Sequence, residues 1–368
     1  MHEALKQDAE RLQPASRRSR AIIYRRLSEA AFDFPSRRLL SSYWTYWRVK
    51  GRKSACPKII CQKTKTDCAS RSNDTVASGR MIFDTTIKEL LNSKLFALEE
   101  QFKADLVFYY GEIHVGIVRP FRDAIEDLKK AAQPKGRLVL FLNTSGGSAE
   151  IVEKLVDIIR HHYKEVSFVV PDFAMSAGTI FCMSGDKIYM DYSSSLGPID
   201  PQVWNGTQWV PALGYLDKVE ALLEKAKKGT LTQAEFLILQ SQDLAMLSRC
   251  EQAKELTITL LKKWLVQYKF KNWDTHGTDP AKEGKPVTDD EKKQRAQEIA
   301  DQLGDNQKWH SHGRMIGVGA LTKELRLKID DYSKNKTLQS LIRSYNDLLT
   351  EYIAKNNFKA FLHTRNFF

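Results

Sequence analysis

The chain has 368 residues, 42% of them hydrophobic, and a formal net charge of +12 from 57 Lys and Arg against 45 Asp and Glu. That length allows two or three domains of ~100–200 residues with a full apolar core, and no window approaches the ~18–20 consecutive apolar residues of a membrane-spanning helix. The charge is local: residues 1–80 hold 18 basic against 7 acidic side chains and the rest 39 against 38, so the charge of the body indicates no nucleic-acid surface.

The first 80 residues are Arg-rich (Arg17-Arg18, Arg25-Arg26, Arg37-Arg38) and poor in apolar periodicity. They read as a disordered basic arm, as an organelle-targeting peptide, or as sequence upstream of a natural start at Met81. Cys56, Cys61 and Cys68 match no common zinc spacing, and Cys182 and Cys250 lie in apolar stretches that read as buried. Five cysteines without a disulfide rhythm suit a reducing compartment, and the expected location is cytoplasmic.

A helix is expected over 82–103, strands over 106–110 and 114–118, and a helix over 120–132. Arg137-Leu-Val-Leu-Phe-Leu-Asn143 is an apolar run of strand length that ends at Gly146-Gly147, and Ile151, Val152, Leu155, Val156, Ile158 and Ile159 then follow helical spacing. Val166–Val170 is a second strand and Asp186–Asp191 a third. Strands alternating with helices from about 105 to 200 predict an α/β fold with a largely parallel sheet covered on both faces. After 200 the pattern becomes helical: 216–226, a long stretch over 233–270, 289–303 and 337–354, with a polar loop at 272–288.

The chemistry concentrates in two turns and one hydroxyl. A Gly-Gly pair lets main-chain N–H groups approach a ligand, and Ser176, between Met175 and Ala177-Gly178, stands where a helix begins. A nucleophile beside preorganised donors is what acyl transfer requires. Ser176 also has an ordinary reading as a helix N-cap.

Three blocks carry a resemblance: Asn143-Thr-Ser-Gly-Gly-Ser148, Met175-Ser-Ala-Gly-Thr179 and Ser195-Leu-Gly-Pro-Ile-Asp-Pro-Gln202. In order and spacing the chain resembles the Clp-fold serine proteinases, which include ClpP and the SppA-type signal peptide peptidases, and above all the family labelled serine dehydrogenase proteinase. Similarity is close over about 135–205 and looser beyond. It implies a ClpP/crotonase-like core of repeated ββα units in a spiral over 81–235 and a mainly helical C-terminal region over 236–368. It further implies Ser176 as nucleophile, an oxyanion hole from the N–H groups of Gly146, Gly147 and Ala177, a peptide or protein substrate, and a homo-oligomer.

ClpP-like relatives place a histidine about 25 residues after the serine, but around Asp200-Pro201 there is none, and His276 is the nearest downstream. The resemblance then points to the Ser-Lys dyad of the SppA branch, with Lys218, 42 residues after Ser176, as base. A lysine acts as base only when desolvation or nearby positive charge lowers its pKa. Helical projection puts Lys218 at the border of an apolar face; its ordinary reading is a solvated helix surface, and Lys187 is an alternative. No cofactor is expected, since Gly146-Gly147 lacks G-x-G-x-x-G, and His310-Ser-His312 reads as a loop before the next helix rather than a metal site. Two rival functions on the same fold are a crotonase-like acyl-CoA enzyme and a scaffold that has lost its base.

Overall fold

A computed structural model of the chain describes residues 69–130, 135–277 and 281–367. The arm, with Cys56, Cys61 and Cys68, lies outside them up to residue 68. Helix α1, Ala69–Phe102, begins upstream of Met81 and leads into β1, Asp105–Gly111. Strands β2 (Arg137–Asn143), β3 (Glu165–Val169), β5 (Lys187–Met190) and β10 (Asp330–Asp331) extend a parallel sheet from β1, and β11 (Ala360–His363) closes the other edge antiparallel to β1. The spatial order is β10-β5-β3-β2-β1-β11.

Strand alternation explains why the sheet is covered twice. Val107, Tyr109, Leu138, Leu140, Leu142, Val166 and Phe168 point into one core, while Leu106, Phe108, Val139, Phe141 and Val169 point into the other. Successive side chains take opposite faces, so a continuous apolar run serves two layers at once. The first core receives α2 (Val118–Lys130), α3 (Ala149–His162), α4 (Ala177–Met183), α7 (Leu244–Trp264) and α8 (Asp289–Gly304); the second receives α1 and α11 (Lys336–Asn356). The α/β class read from the sequence is the class found.

Strands β1, β2, β3 and β5 each continue into a short second extended piece. After β1, Ile113 bridges to Gly147; after β2, Thr144 bridges to Ala174. After β3 comes β4 (Phe173–Ala174), and after β5 comes β6 (Ser195–Leu196), which pairs in parallel with β4. The repeated unit is thus β-β-α, as expected of a ClpP-like core. Strand β9 (Ile316–Gly317) pairs antiparallel with β6 and completes this small second sheet.

Two local expectations are overturned. Residues 114–118 form a 3₁₀ turn, Val115–Ile117, running into α2, because His114 Nδ1 accepts the Gly116 N–H at 3.1 Å and caps the turn. A local side-chain bond of this kind outweighs the β propensity of a Val/Ile run. The stretch over 233–270 divides into α6 (Gln233–Gln240) and α7, since Asp243 leaves helical geometry and accepts the Ala245 N–H at 2.8 Å as a new N-cap.

Segments from both sides of residue 235 form one compact unit among the described residues. Arg365 reaches Glu99 at 2.6 Å and Asp105 at 2.8 Å, and Tyr163 Oη donates to Asp105 at 2.8 Å. Two buried carboxylates are tolerable there because a guanidinium faces both. His363, on β11, is fully buried between Tyr345 Oη at 2.7 Å and Asn92 Oδ1 at 2.9 Å.

Burial pushes the His363 imidazole down to about 3, so it is neutral in the fold over the working pH range. An unfolded histidine titrates near 6.5, so below that pH the unfolded chain binds the extra proton and stability falls as pH drops toward 3. Asp191 would be raised by burial, but bonds from Ser193 and Arg343 bring it to about 2, so its own stabilisation is lost only at lower pH. Urea unfolding should therefore show His363 contributing ~1.5 kcal/mol of lost stability between pH 6.5 and 5, and His363→Gln should remove that part of the slope.

Candidate active site

The small second sheet gathers the polar residues of the three sequence blocks. Strands β4 and β6 run parallel and β9 runs antiparallel to β6, so the exits of β4 and β6 and the entry of β9 share one end. Ser176 follows β4, Asp200 follows β6, and His312 precedes β9. The turn after β2 joins them through the Thr144–Ala174 bridge, with Met175 N–H donating to Thr144 O at 2.9 Å.

Ser176 is part-buried and holds φ 52° and ψ −118°, a region that costs a non-glycine residue about 1–3 kcal/mol. Its carbonyl accepts from Ile180 N–H at 3.2 Å, so its backbone starts α4, but its hydroxyl makes no capping bond. Ser176 is thus the N-cap residue of α4, but its Oγ is not spent on the helix. Ala177 is the first residue of α4, where an N–H has no intrahelical acceptor.

The glycines differ from each other. Gly146 is buried and gives its N–H to Thr144 Oγ1 at 3.0 Å. Gly147 is exposed, and its two neighbours carry the bridge: Ile113 N–H donates to Gly146 O at 2.8 Å, and Ser148 N–H donates to Ile113 O at 3.0 Å. The Gly147 amide faces away from that bridge and has no partner among the described residues. Of the three amides expected from the resemblance, that of Gly146 is engaged by Thr144 Oγ1, whereas those of Gly147 and Ala177 make no hydrogen bond among the described residues.

Both positions need glycine. A Cβ on Gly147 (φ 140°) would meet Ile113 O at 2.1 Å, and one on Gly146 (φ 113°) would meet Ser176 Cβ at 2.9 Å and Met175 O at 3.0 Å. The same imaginary Cβ lies 3.5 Å from Ala177 N, which measures how closely the turn abuts the start of α4. Asn143 and Ser148 fix the turn: Asn143 Nδ2 donates to Asp172 at 2.7 Å, and Ser148 Oγ accepts from Ile151 N–H at 3.1 Å.

The structure does not bring Lys218 to this cluster by any bond. It is exposed on α5 (Ala212–Lys227), without a hydrogen bond or ion pair among the described residues. Lys187 opens β5 at the opposite end of the main sheet, and His276 is held there by Glu291 at 3.3 Å. A different imidazole stands at the right end: His312 Nδ1 lies 2.8 Å from Asp200 Oδ1, and the Asp200 carboxylate is buried, with Gln202 Nε2 donating to its other oxygen at 3.1 Å. In the neutral tautomer whose Nδ1–H donates to the carboxylate, Nε2 is the atom with a lone pair, the form a general base requires. Sequence reasoning noted both residues and did not pair them, because 112 residues separate them and only the β6–β9 pairing joins them.

Residues 125–281 match the family model of the ClpP-like SDH-type serine proteinases. That segment contains Ser176, both glycines, Asp200 and Lys218, and it bears out the resemblance carried by the three blocks; His312 lies beyond it. Two uncharacterized proteins of Methanocaldococcus jannaschii are also similar. One is 37% identical over 73 residues, 20% of this chain and 26% of the relative, and the other 30% identical over 92 residues, 25% and 30%. The matched part of this chain thus spans less than a third of either relative. Among solved structures, a serine-to-alanine mutant of the membrane-bound stomatin-specific protease 1510-N shows 18% identity and a TM-score of 0.26, over 40% of this chain and 66% of that one. The ClpP catalytic domain from Plasmodium falciparum shows 15% and 0.24, over 28% and 57%. Scores at this level assign no role to any residue.

The abutment of the turn on α4 yields a test. Gly146→Ala should displace Ser176 and lower its rate of labelling by a fluorophosphonate by ~10²-fold, the usual scale for a small misplacement of a reacting group. Thermal unfolding measured alongside separates displacement from loss of fold, and an unchanged rate would show that turn and serine are not in register.

Proposed function

We infer that the chain is a serine peptidase that hydrolyses peptide bonds through an acyl-enzyme on Ser176. The observation that carries this reading is a serine held in a strained conformation, with its hydroxyl unspent, at the first turn of α4 where the Gly146–Gly147 turn abuts it. Ser176 Oγ attacks the substrate carbonyl carbon, its proton passes to a base, and the oxyanion lies against the N–H groups of Gly147 and Ala177. The base then protonates the departing amine, and water, deprotonated by the same base, releases the acyl group.

For the base, the geometry favours His312 oriented by Asp200, on the bond between them and their shared end of the small sheet. Lys218 is the second reading: the family match includes it, but its exposed place on α5 would need a further partner to desolvate it. Fluorophosphonate labelling tests both parts. Label on the wild type, none on Ser176→Ala, and a ~10²–10⁴-fold slower reaction in His312→Gln with Lys218→Ala near wild type are expected. The reverse order of the last two variants would restore the Ser-Lys dyad. A folded wild type that never labels would leave the scaffold reading, and tight binding of a CoA thioester would favour the crotonase-like one.

Assembly into a homo-oligomer belongs to the same reading. Helix α6 buries none of its side chains, and Phe236, Leu237 and Ile238 are all exposed on it. Three consecutive large apolar residues on an uncovered helix support contact with another copy. Light scattering should show an oligomer that Leu237→Glu with Ile238→Glu reduces to monomer. A cytoplasmic setting is the accompanying proposal, supported by the free, buried thiols of Cys182 and Cys250. Among the described residues no helix is long and apolar enough to cross a membrane.

A further inference from the structure

At the end of the main sheet opposite Ser176 there is a cavity of about 920 Å³. It opens where β2, β3 and β5 begin, and the chain following α7 and the first half of α8 form its other walls. That volume is within the usual ~300–1,000 Å³ of a small-molecule site.

Its charge is out of balance. Lys164, Lys187, Lys269, Lys271, Arg326 and Lys328 line it without an ion-pair partner among the described residues. Four of the five lining carboxylates are already neutralised: Glu165 by Arg137, Asp186 by Arg160, Glu291 by Lys282 and Glu298 by Arg295. Asp330 has no ion pair among the described residues, but its Oδ2 is buried without a hydrogen bond and its charge acts on Lys269, so a single carboxylate is set against six cations.

Five of those cations are exposed and would be ordinary on a solvated rim. Lys269 is different, because its Nζ is shut from solvent with no hydrogen-bond partner. Burial, with Lys328 repelling and Asp330 opposing, holds it down at about 8, yet no bond within the chain serves the ammonium. An unpaired buried charge is expensive, and an oxyanion entering the cavity would supply the missing acceptor.

We propose that this cavity binds a small molecule bearing a di- or triphosphate, anchored on Lys269 and embraced by the cations of the rim. Several closely spaced negative charges match six unpaired cations better than a single carboxylate does. The phosphates could be inorganic or part of a nucleotide; Trp273 lines the same cavity and would give a base, but not an inorganic anion, a surface to stack on.

The test is calorimetric titration of the full chain with inorganic triphosphate and, separately, with ATP. Saturable binding is expected, with at least a tenfold loss of affinity in Lys269→Met. Lys187→Glu with Arg326→Glu should also lose at least tenfold, which keeps the test decisive if the buried variant fails to fold and separates the cavity from the basic arm. Equal affinities would assign recognition to the phosphates alone; tighter ATP binding that returns to the inorganic value in Trp273→Ala would assign it to a nucleotide. No saturable binding, or affinity unchanged in both charge variants, would overturn the proposal. Labelling of Ser176 is not a readout here, so the two sites succeed or fail separately.

Discussion

The arrangement of the Ser176 end of the sheet depends on one close approach, the turn at Gly146–Gly147 against Ile113 on one side and Met175-Ser176 on the other. There is no room at either glycine for a Cβ, and Gly178 is equally constrained, since a Cβ on it would meet Thr144 Cγ2 at 2.4 Å. Through this contact the exits of β1 and β2 and the start of α4 are fixed relative to one another. The strain at Ser176 is sustained by the packing around it: Met175 N–H and Thr144 O are bonded, Thr179 Oγ1 bridges Ala174 O and Gly197 O, and the first turn of α4 is buried throughout. Strained backbone persists where neighbours over-determine it.

Much of this was legible in the sequence because it is local. The run 137–143 could only be a strand buried on both faces, and the spacing of Val152, Leu155, Val156 and Ile159 could only be a helix on that sheet. The Gly-Gly and Ser-Ala-Gly blocks marked the two turns that meet. What was not legible depends on distance along the chain. The pairing of β6 with β9, and with it the bond between Asp200 and His312, leaves no periodic trace. That Thr144 Oγ1 takes the Gly146 amide and leaves that of Gly147 is a matter of rotamer rather than residue type. At 114–118 the residue types favoured a strand, and one imidazole bond reversed the outcome.

The two ends of the main sheet differ in kind. At the C-terminal ends of the strands lie main-chain amides and the Ser176 hydroxyl, held by glycines and small residues. At the N-terminal ends lie long cationic side chains around an aromatic wall, where Arg160 stacks on Tyr268 at 3.6 Å. The same parallel strands separate these environments, so a change at one end reaches the other only through the core between them.

The antiparallel edge has a consequence for how the molecule is made. Strand β1 lies near the start of the described chain, yet its outer neighbour is β11, and Arg365 brings the last turn back to Glu99 and Asp105. A ribosome delivers β1 long before β11, so throughout synthesis the outer edge of β1 offers unpaired amides and carbonyls, while two acidic side chains await their counter-ion. The edge can close only after β11 and Arg365 have left the exit tunnel. Until then the outer edge of β1 stays open to pairing with other strands.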